Sequence, residues 1–281
     1  MIDYSVKWSN FNQKGWCFLD DDDQHHRWIE AAKINILYKF GKKKYTNRDF
    51  RSGNTWFIGT NFLDNGSDGN INGVPMSSGL LSQVSGKFGL GVKYWDPGQV
   101  SIFWQGYPKN DSRETEKAFK YRLNKYASHV DGLLPIGPEK RRFAKEYHAF
   151  ILGLPIINSI AGSAPLVVWE GSHIIFRDLF RRLYNGVSET ELRNLDITEM
   201  YQKYRTKVFS TCPIRKIFSE NNQPYILDRH LLHGVVQWNT NKIHSSKQCP
   251  NDGIQFDPLS GRIVIYFRPS YKSPMDWLIQ N

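Results

Sequence analysis

Apolar positions recur at helical spacing in some stretches of this chain and in short continuous or alternating runs in others, so helices and buried strands share it. Asp20 to Asp23 precede Trp28, Ala31, Ala32, Ile34 and Leu37, which predicts a helix whose positive end meets carboxylates. From Gly53 to Gly91 the chain is rich in Gly, Asn and Ser with short apolar pieces such as Thr55 to Ile58; this predicts strands and long loops, and no helix. Asp96-Pro97-Gly98 reads as a turn before a strand over Gln99 to Trp104. Asp111 and Ser112 then read as the cap of a helix presenting Phe119, Leu123 and Tyr126, which ends before His129.

Pro138 predicts the first turn of a short helix through Arg141, Phe143 and Tyr147. Strands are expected in the apolar run His148 to Ile157 and over Leu166 to Trp169, halted by Gly171. Ile174, Ile175, Leu179, Phe180 and Leu183 then mark an amphipathic helix ended at Gly186. Ser188-Glu189-Thr190-Glu191 matches a capping box and predicts one more helix reaching about Tyr204. The tail returns to strands at Tyr225 to Leu227, Val235 to Trp238 and Ile263 to Phe267. No repeat or low-complexity linker interrupts this order, so a single domain over 1–281 is expected, its 1–95 part a helix- and loop-rich extension and its 96–281 part a mainly β core with helical insertions.

The 281 residues, 40% hydrophobic and 14% aromatic, supply ample material for a buried core. No stretch approaches the length of a membrane span, and the first residues carry neither a basic start nor an apolar signal core, so the cytoplasm is the expected address. Cys17, Cys212 and Cys249 are widely spaced and in no Cys-x-x-Cys arrangement, which predicts reduced thiols rather than disulfides or a zinc knuckle. The formal charge of +10, with a run at Lys42-Lys43-Lys44, Arg48 and Arg51, favours an anionic partner. No zinc finger, helix-turn-helix or RNA-binding signature accompanies it, so a solvated basic face or an anionic small substrate is expected rather than nucleic acid.

Candidate chemistry lies in His129-Val130-Asp131, Leu231-Leu232-His233-Gly234 and Gly261-Arg262. Residues two apart on a strand point to the same side, so His129 and Asp131 can bind one metal from a single segment, and His233 is the best candidate for a third ligand. Two histidines and a carboxylate leave half of an octahedral metal open for a co-substrate and oxygen. A lone His-x-Asp is weak, since eight histidines and 27 acids give about one such match by composition; the ordered set carries the signal.

With His129 to Leu134, Pro165 to His173, Leu231 to Gly234 and Gly261-Arg262 in this order, the stretch from Ser128 to Pro269 resembles the phytanoyl-CoA dioxygenase family. The resemblance implies a double-stranded β-helix (a jelly roll, cupin-like) with peripheral helices, and Fe(II), 2-oxoglutarate and O2 as cofactor and co-substrates. By the same resemblance His129, Asp131 and His233 are the iron ligands, and Arg262 pairs with the distal carboxylate of 2-oxoglutarate, a role suited to the guanidinium fork. The family places this arginine nearer the distal histidine; here the gap from His233 is filled by a polar insertion from Asn239 to Asp257. Arg268, six residues after Arg262, shares its face by parity and is the alternative, with Arg262 favoured on its Gly-Arg start. Related iron halogenases have a small residue in place of the carboxylate, so Asp131 implies hydroxylation of a small molecule or conjugated metabolite.

Other residues read as structural. His173 is expected near the site but not as a ligand, and His230, odd in parity to His233, should face away. His25, His26, His148 and His244 have no ligand pattern, and Trp104, Trp169 and Trp238 suit the core as well as a pocket wall. Arg122 and Lys125 could meet an anionic substrate or simply face water, and the glycines from 86 to 91 fit no nucleotide loop. The rival expectations are a non-catalytic cupin-like protein and an aromatic-rich β-sandwich binding module, the latter indifferent to Asp131. Oligomeric state carries no signal in the sequence.

Overall fold

The computed structural model describes residues 4–42, 45–46, 48–89, 94–157, 162–239 and 257–279. The first part of the chain forms α1 (Tyr4–Lys14), β1 (Trp16–Phe18), α2 (Asp23–Lys42), β2 (Phe50–Arg51), β3 (Trp56–Phe57), α3 (Ser78–Phe88), β4 (Gln99–Phe103) and α4 (Glu116–Lys125). The middle adds β5 (Leu133–Ile136), β6 (Arg141–Ala144), β7 (Phe150–Pro155), β8 (Leu166–Trp169), α5 (Ser172–Leu183), α6 (Glu189–Leu192) and α7 (Thr198–Thr211). Then follow β9 (Ile214–Ile217), β10 (Tyr225–Asp228), β11 (His233–Val235), β12 (Arg262–Phe267) and α8 (Pro274–Ile279).

β-branched and aromatic runs dominate the central strands because both of their faces are buried. Seven strands pair antiparallel in the order β1-β10-β7-β12-β4-β3-β2, and three in the order β11-β8-β9. A bridge between His129 and His233 extends the smaller sheet by the segment around His129. From β4 onward the chain crosses back and forth: β4, β7, β10 and β12 lie in the large sheet, and the His129 segment, β8, β9 and β11 in the small one. This is the double-stranded β-helix. Its interior gathers Ile151, Tyr225, Leu227, Val264 and Tyr266 from the large sheet with Leu166, Val168 and Leu231 from the small side. The alternate residues Ile263, Ile265 and Phe267 instead join Trp28, Ile29, Leu80 and Val84, so helices α2 and α3 cover the outer face of the large sheet. Strands β1, β2 and β3 belong to that same sheet, so the first 95 residues contribute to it directly.

Several local expectations need correction. The 53–91 stretch contains α3: Ser77 Oγ accepts from Leu80 N, Gly89 ends the helix at φ 62°, and Leu80, Val84 and Phe88 form a buried face. Glycine- and serine-rich composition masked a face only three residues wide. No helix starts at Pro138; β5 and β6 form a hairpin there, turned by Gly137 at φ 72° and closed by Lys140 N donating to Gly137 O. The capping box at Ser188 forms, but its helix stops at Leu192 and a second begins at Thr198. Ile197 N donates to Arg142 O, and Asp196 accepts from Thr198 and pairs with Arg141, so contacts to β6 break the helix. Helix α4 is capped by Thr115, not Asp111 or Ser112, and Tyr126 lies beyond it in a left-handed turn. In α2, Ile34 and Leu37 face outward while His25, Ile29, Ile36 and Phe40 are buried with Trp28.

Among the described residues no helix is long and apolar enough to cross a membrane. The insertion over 239–257 lies almost wholly outside the described residues, His244 and Cys249 with it, as do Lys43, Lys44 and Gly91.

Candidate metal centre

The segment carrying His129 and Asp131, the candidate ligands, is delivered by a forced turn. Tyr126 and Ala127 have φ of 57° and 51°, a left-handed pair costing about 1 kcal/mol or more each outside glycine, and they swing the chain from α4 onto β11. Ser128 is held by the Tyr121 hydroxyl, which donates to its carbonyl at 2.8 Å. His129 N donates to His233 O at 2.9 Å and His233 N to His129 O at 3.1 Å, the reciprocal pair of an antiparallel ladder, so the two imidazoles project side by side with ring centroids 4.7 Å apart. Val130 turns its side chain into the core and its N–H to the Tyr201 hydroxyl at 3.2 Å, which leaves Asp131 on the same side as His129. Gly132, at φ 81°, then reverses the chain so closely against Glu146 O that a Cβ would sit 2.2 Å from it.

Candidate ligand atoms of His129, Asp131 and His233 lie within 4.8 Å of one another, the one such cluster of three or more among the described residues. Asp131 Oδ1 is 3.1 Å from His129 Nε2 and 3.6 Å from His233 Nε2. Each imidazole turns Nδ1 to a backbone carbonyl two residues back, His129 to Ala127 O and His233 to Leu231 O, both at 3.0 Å. A carbonyl only accepts, so Nδ1 carries the proton in the neutral ring and Nε2 presents a lone pair. Burial pushes the His233 imidazolium down to about 4, which keeps that ring neutral near pH 7. Two nitrogen lone pairs then face a carboxylate oxygen. Such a trio of acceptors is reconciled by a cation between them, and an N,N,O set suits a divalent transition metal. His129, 46% exposed, leaves one side open to solvent, while Asp131 and His233 are nearly enclosed.

Burial opposes charge on Asp131, but the Arg268 guanidinium, joined in acid by the imidazoles in their protonated form, outweighs it and holds the carboxyl well below the usual range. Arg268 Nε donates to Asp131 Oδ2 at 2.6 Å and Nη1 to Gln99 Oε1 at 2.6 Å. Arg262 opens β12 opposite Phe103, 1% exposed, with its guanidinium 5.8 Å from that ring. The two arginines share the inner parity of β12 with Val264 and Tyr266, as the sequence implies.

The other described histidines do not join the cluster. His173 lies in α5 with Nε2 on Asn12 O at 3.0 Å, and His230 is enclosed by Phe180 and Trp277 at 5.2 and 4.6 Å between centroids. His25 reaches Asn222 O, His26 pairs with Asp21 and His148 with Glu146. Trp104 and Trp169 are core residues, and Trp238 packs beside Phe103 and Tyr107. Arg122 is committed to Glu114 at 2.8 Å, and Lys125 lies 4.6 Å from the Phe209 ring. A groove of about 580 Å³ between α4 and α7, lined by Lys125, Arg205, Phe209 and neighbours, contains none of the three cluster residues.

Tyr121, Tyr201 and Gln99 are the supports that sequence reasoning missed. Tyr201 and Gln99 act from elements far off in the sequence, whereas Tyr121 lies in α4 seven residues before Ser128, and nothing in the sequence around any of the three marks the role; Arg205, stacked at 4.7 Å on Tyr121 and 5.3 Å on Tyr201, ties the two tyrosines together.

No family model matches this chain, and no curated protein matches it in sequence. Among solved structures it is similar to AviO1 from Streptomyces viridochromogenes Tue57, with a TM-score of 0.47, 10% identity and 98% of both chains covered. It is also similar to SnoK, a non-heme alpha ketoglutarate dependent carbocyclase from nogalamycin biosynthesis, with a TM-score of 0.46, 11% identity, and coverage of 96% of this chain and 87% of that one. A third is HygX from Streptomyces hygroscopicus, crystallised with nickel, 2-oxoglutarate and hygromycin B, with a TM-score of 0.40, 9% identity, and coverage of 94% and 85%.

Proposed function

We propose that this chain is a non-haem Fe(II)- and 2-oxoglutarate-dependent oxygenase of the phytanoyl-CoA dioxygenase kind, hydroxylating a small molecule. The observation that carries the reading is the meeting of two Nε2 lone pairs and one carboxylate oxygen, with the imidazole protons bonded away on backbone carbonyls. His129, Asp131 and His233 would hold the iron. An iron held there would bind 2-oxoglutarate and activate O2, the oxidant: one oxygen atom would enter a substrate C–H bond and the other the succinate formed as 2-oxoglutarate loses CO2.

The chain's own part is position and exclusion of water. Arg262 is the anchor for the distal carboxylate of 2-oxoglutarate, supported by its buried place on the inner parity of β12 and by the fit of guanidinium to carboxylate. The substrate approaches from the open side of His129, and the positive charge of the chain favours an anionic one. The whole chain is read as one catalytic domain, supported by β1, β2 and β3 sharing a sheet with β7, β10 and β12.

Anaerobic addition of Fe(II) and 2-oxoglutarate is expected to give a weak visible charge-transfer band, strongly diminished in Asp131→Ala and in His233→Ala. A wild-type protein with no such band, and no succinate release with any candidate substrate, overturns the reading.

A further inference from the structure

The two oxygens of Asp131 have separate partners. Oδ1 faces both imidazole Nε2 atoms, while Oδ2 accepts from Arg268 Nε at 2.6 Å. Arg268 is itself held from behind, since Nη1 donates to Gln99 Oε1 and Gln99 Nε2 donates to Ile58 O at 3.0 Å. A line of bonds therefore runs from the Ile58 backbone through Gln99 and Arg268 to the carboxylate. Gln99 opens β4 and Arg268 directly follows β12, so two paired strands of the large sheet fix its geometry.

A carboxylate able to rotate can offer a metal both oxygens, and the second would occupy a position needed by a co-substrate. A charge-assisted bond at this length is about twice as strong as a neutral one, enough to keep Oδ2 turned away. The same bonds make Arg268 a poor anchor for a second carboxylate. With Nε on Asp131 and one N–H of Nη1 on Gln99, the parallel Nε/Nη2 pair that grips a carboxylate is lost and Nη1 retains a single N–H.

We propose that Arg268 is a positioning residue that holds Asp131 as a one-oxygen metal ligand, leaving the anchoring of 2-oxoglutarate to Arg262. The proposal rests on the iron reading above.

The test is a titration of metal-free full-length protein with Co(II) alone, followed through its d–d absorption, and then with 2-oxoglutarate. Arg268→Met is expected to weaken Co(II) binding about 10- to 100-fold, the usual cost of losing an outer partner of a metal ligand, and to change the band shape and intensity as the carboxylate swings. Arg268→Lys, which keeps one N–H for Oδ2, should recover part of both. Gln99→Leu should shift both in the same direction by less, and it carries the comparison if Arg268→Met does not fold by circular dichroism. Arg262→Met should bind Co(II) as the wild type does and lose 2-oxoglutarate affinity instead. Unchanged Co(II) affinity and spectrum in the Arg268 and Gln99 variants overturns the proposal and leaves the iron reading standing. Loss of 2-oxoglutarate affinity alone in Arg268→Met overturns it in favour of an anchoring role. A wild type that binds no Co(II) overturns both readings.

Discussion

Gly234, directly after His233, tests how the proposed metal centre is assembled without touching a candidate ligand. An alanine Cβ there would lie 2.3 Å from Tyr126 O and 3.2 Å from Ser128 Cα, both backbone atoms, so relief requires the 126–129 segment to move by about 1 Å. Three ladder bonds span that contact: Val235 N to Tyr126 O at 3.0 Å and the reciprocal His129–His233 pair. Overpacking of this kind costs about 1–3 kcal/mol, and loosening the three bonds together adds about 1 kcal/mol, so about 2–4 kcal/mol is expected for Gly234→Ala. At about 2.1 cal/mol/K of unfolding entropy per residue, this chain loses about 1.7 °C per kcal/mol, giving a Tm lower by about 3–7 °C. The same displacement is half of a metal–ligand bond of about 2 Å, so Co(II) affinity should fall by more than about tenfold. Calorimetry of the metal-free protein and a Co(II) titration read the two effects. Gly41→Ala, near the end of α2 with nothing within 4 Å of its Cβ, is the control and should leave both unchanged or raise Tm slightly. A Gly234→Ala protein with wild-type Tm and Co(II) affinity would refute the close packing of the His129 segment on β11.

Two further predictions concern the buried charges behind the sheet. Arg177→Ala removes the 2.7 Å partner of Asp228, whose carboxylate is 3% exposed, and should cost about 3–5 kcal/mol in a denaturant titration; adding Asp228→Asn should recover part of it, and a double variant no better than the single would refute the pairing argument. Burial opposes the charge of Asp228, yet His173, His230, Arg177 and Arg229 hold its carboxyl down at about 2, below the unfolded value of about 3.9. Its stabilisation is therefore full above pH about 4 and lost as pH falls towards about 2; Asp228→Asn should flatten that acid limb of Tm against pH, and an unchanged slope would count against it.

What could be read in advance followed from how local each signal was. The runs Phe150–Pro155 and Ile263 to Phe267 are hydrophobic on both faces and read as strands directly, and Ser188 formed its capping box because that device needs four consecutive residues. The helix after Ser188 was read too long because its break comes from Arg142, over 50 residues away, through bonds to Ile197 and Thr198. Helix α3 was missed for a related reason: part of its cap is tertiary, Ser77 Oγ donating to Asp22 at 2.6 Å. Strand β9, exposed at three of its four positions on a sheet edge, carries almost no hydrophobic pattern.

The sequence by itself determined the candidate ligands His129, Asp131 and His233 and the two inward arginines, because ligand chemistry and strand parity are properties of residue type and of spacing over a few positions. Tertiary structure alone decided that the three ligand atoms meet, since the His129–His233 ladder pair joins segments about a hundred residues apart. It also separated Arg268 from Arg262. Parity gives them the same face, and only the packing of β4 and β12 against the Asp131 turn brings one guanidinium onto the carboxylate and sets the other against Phe103.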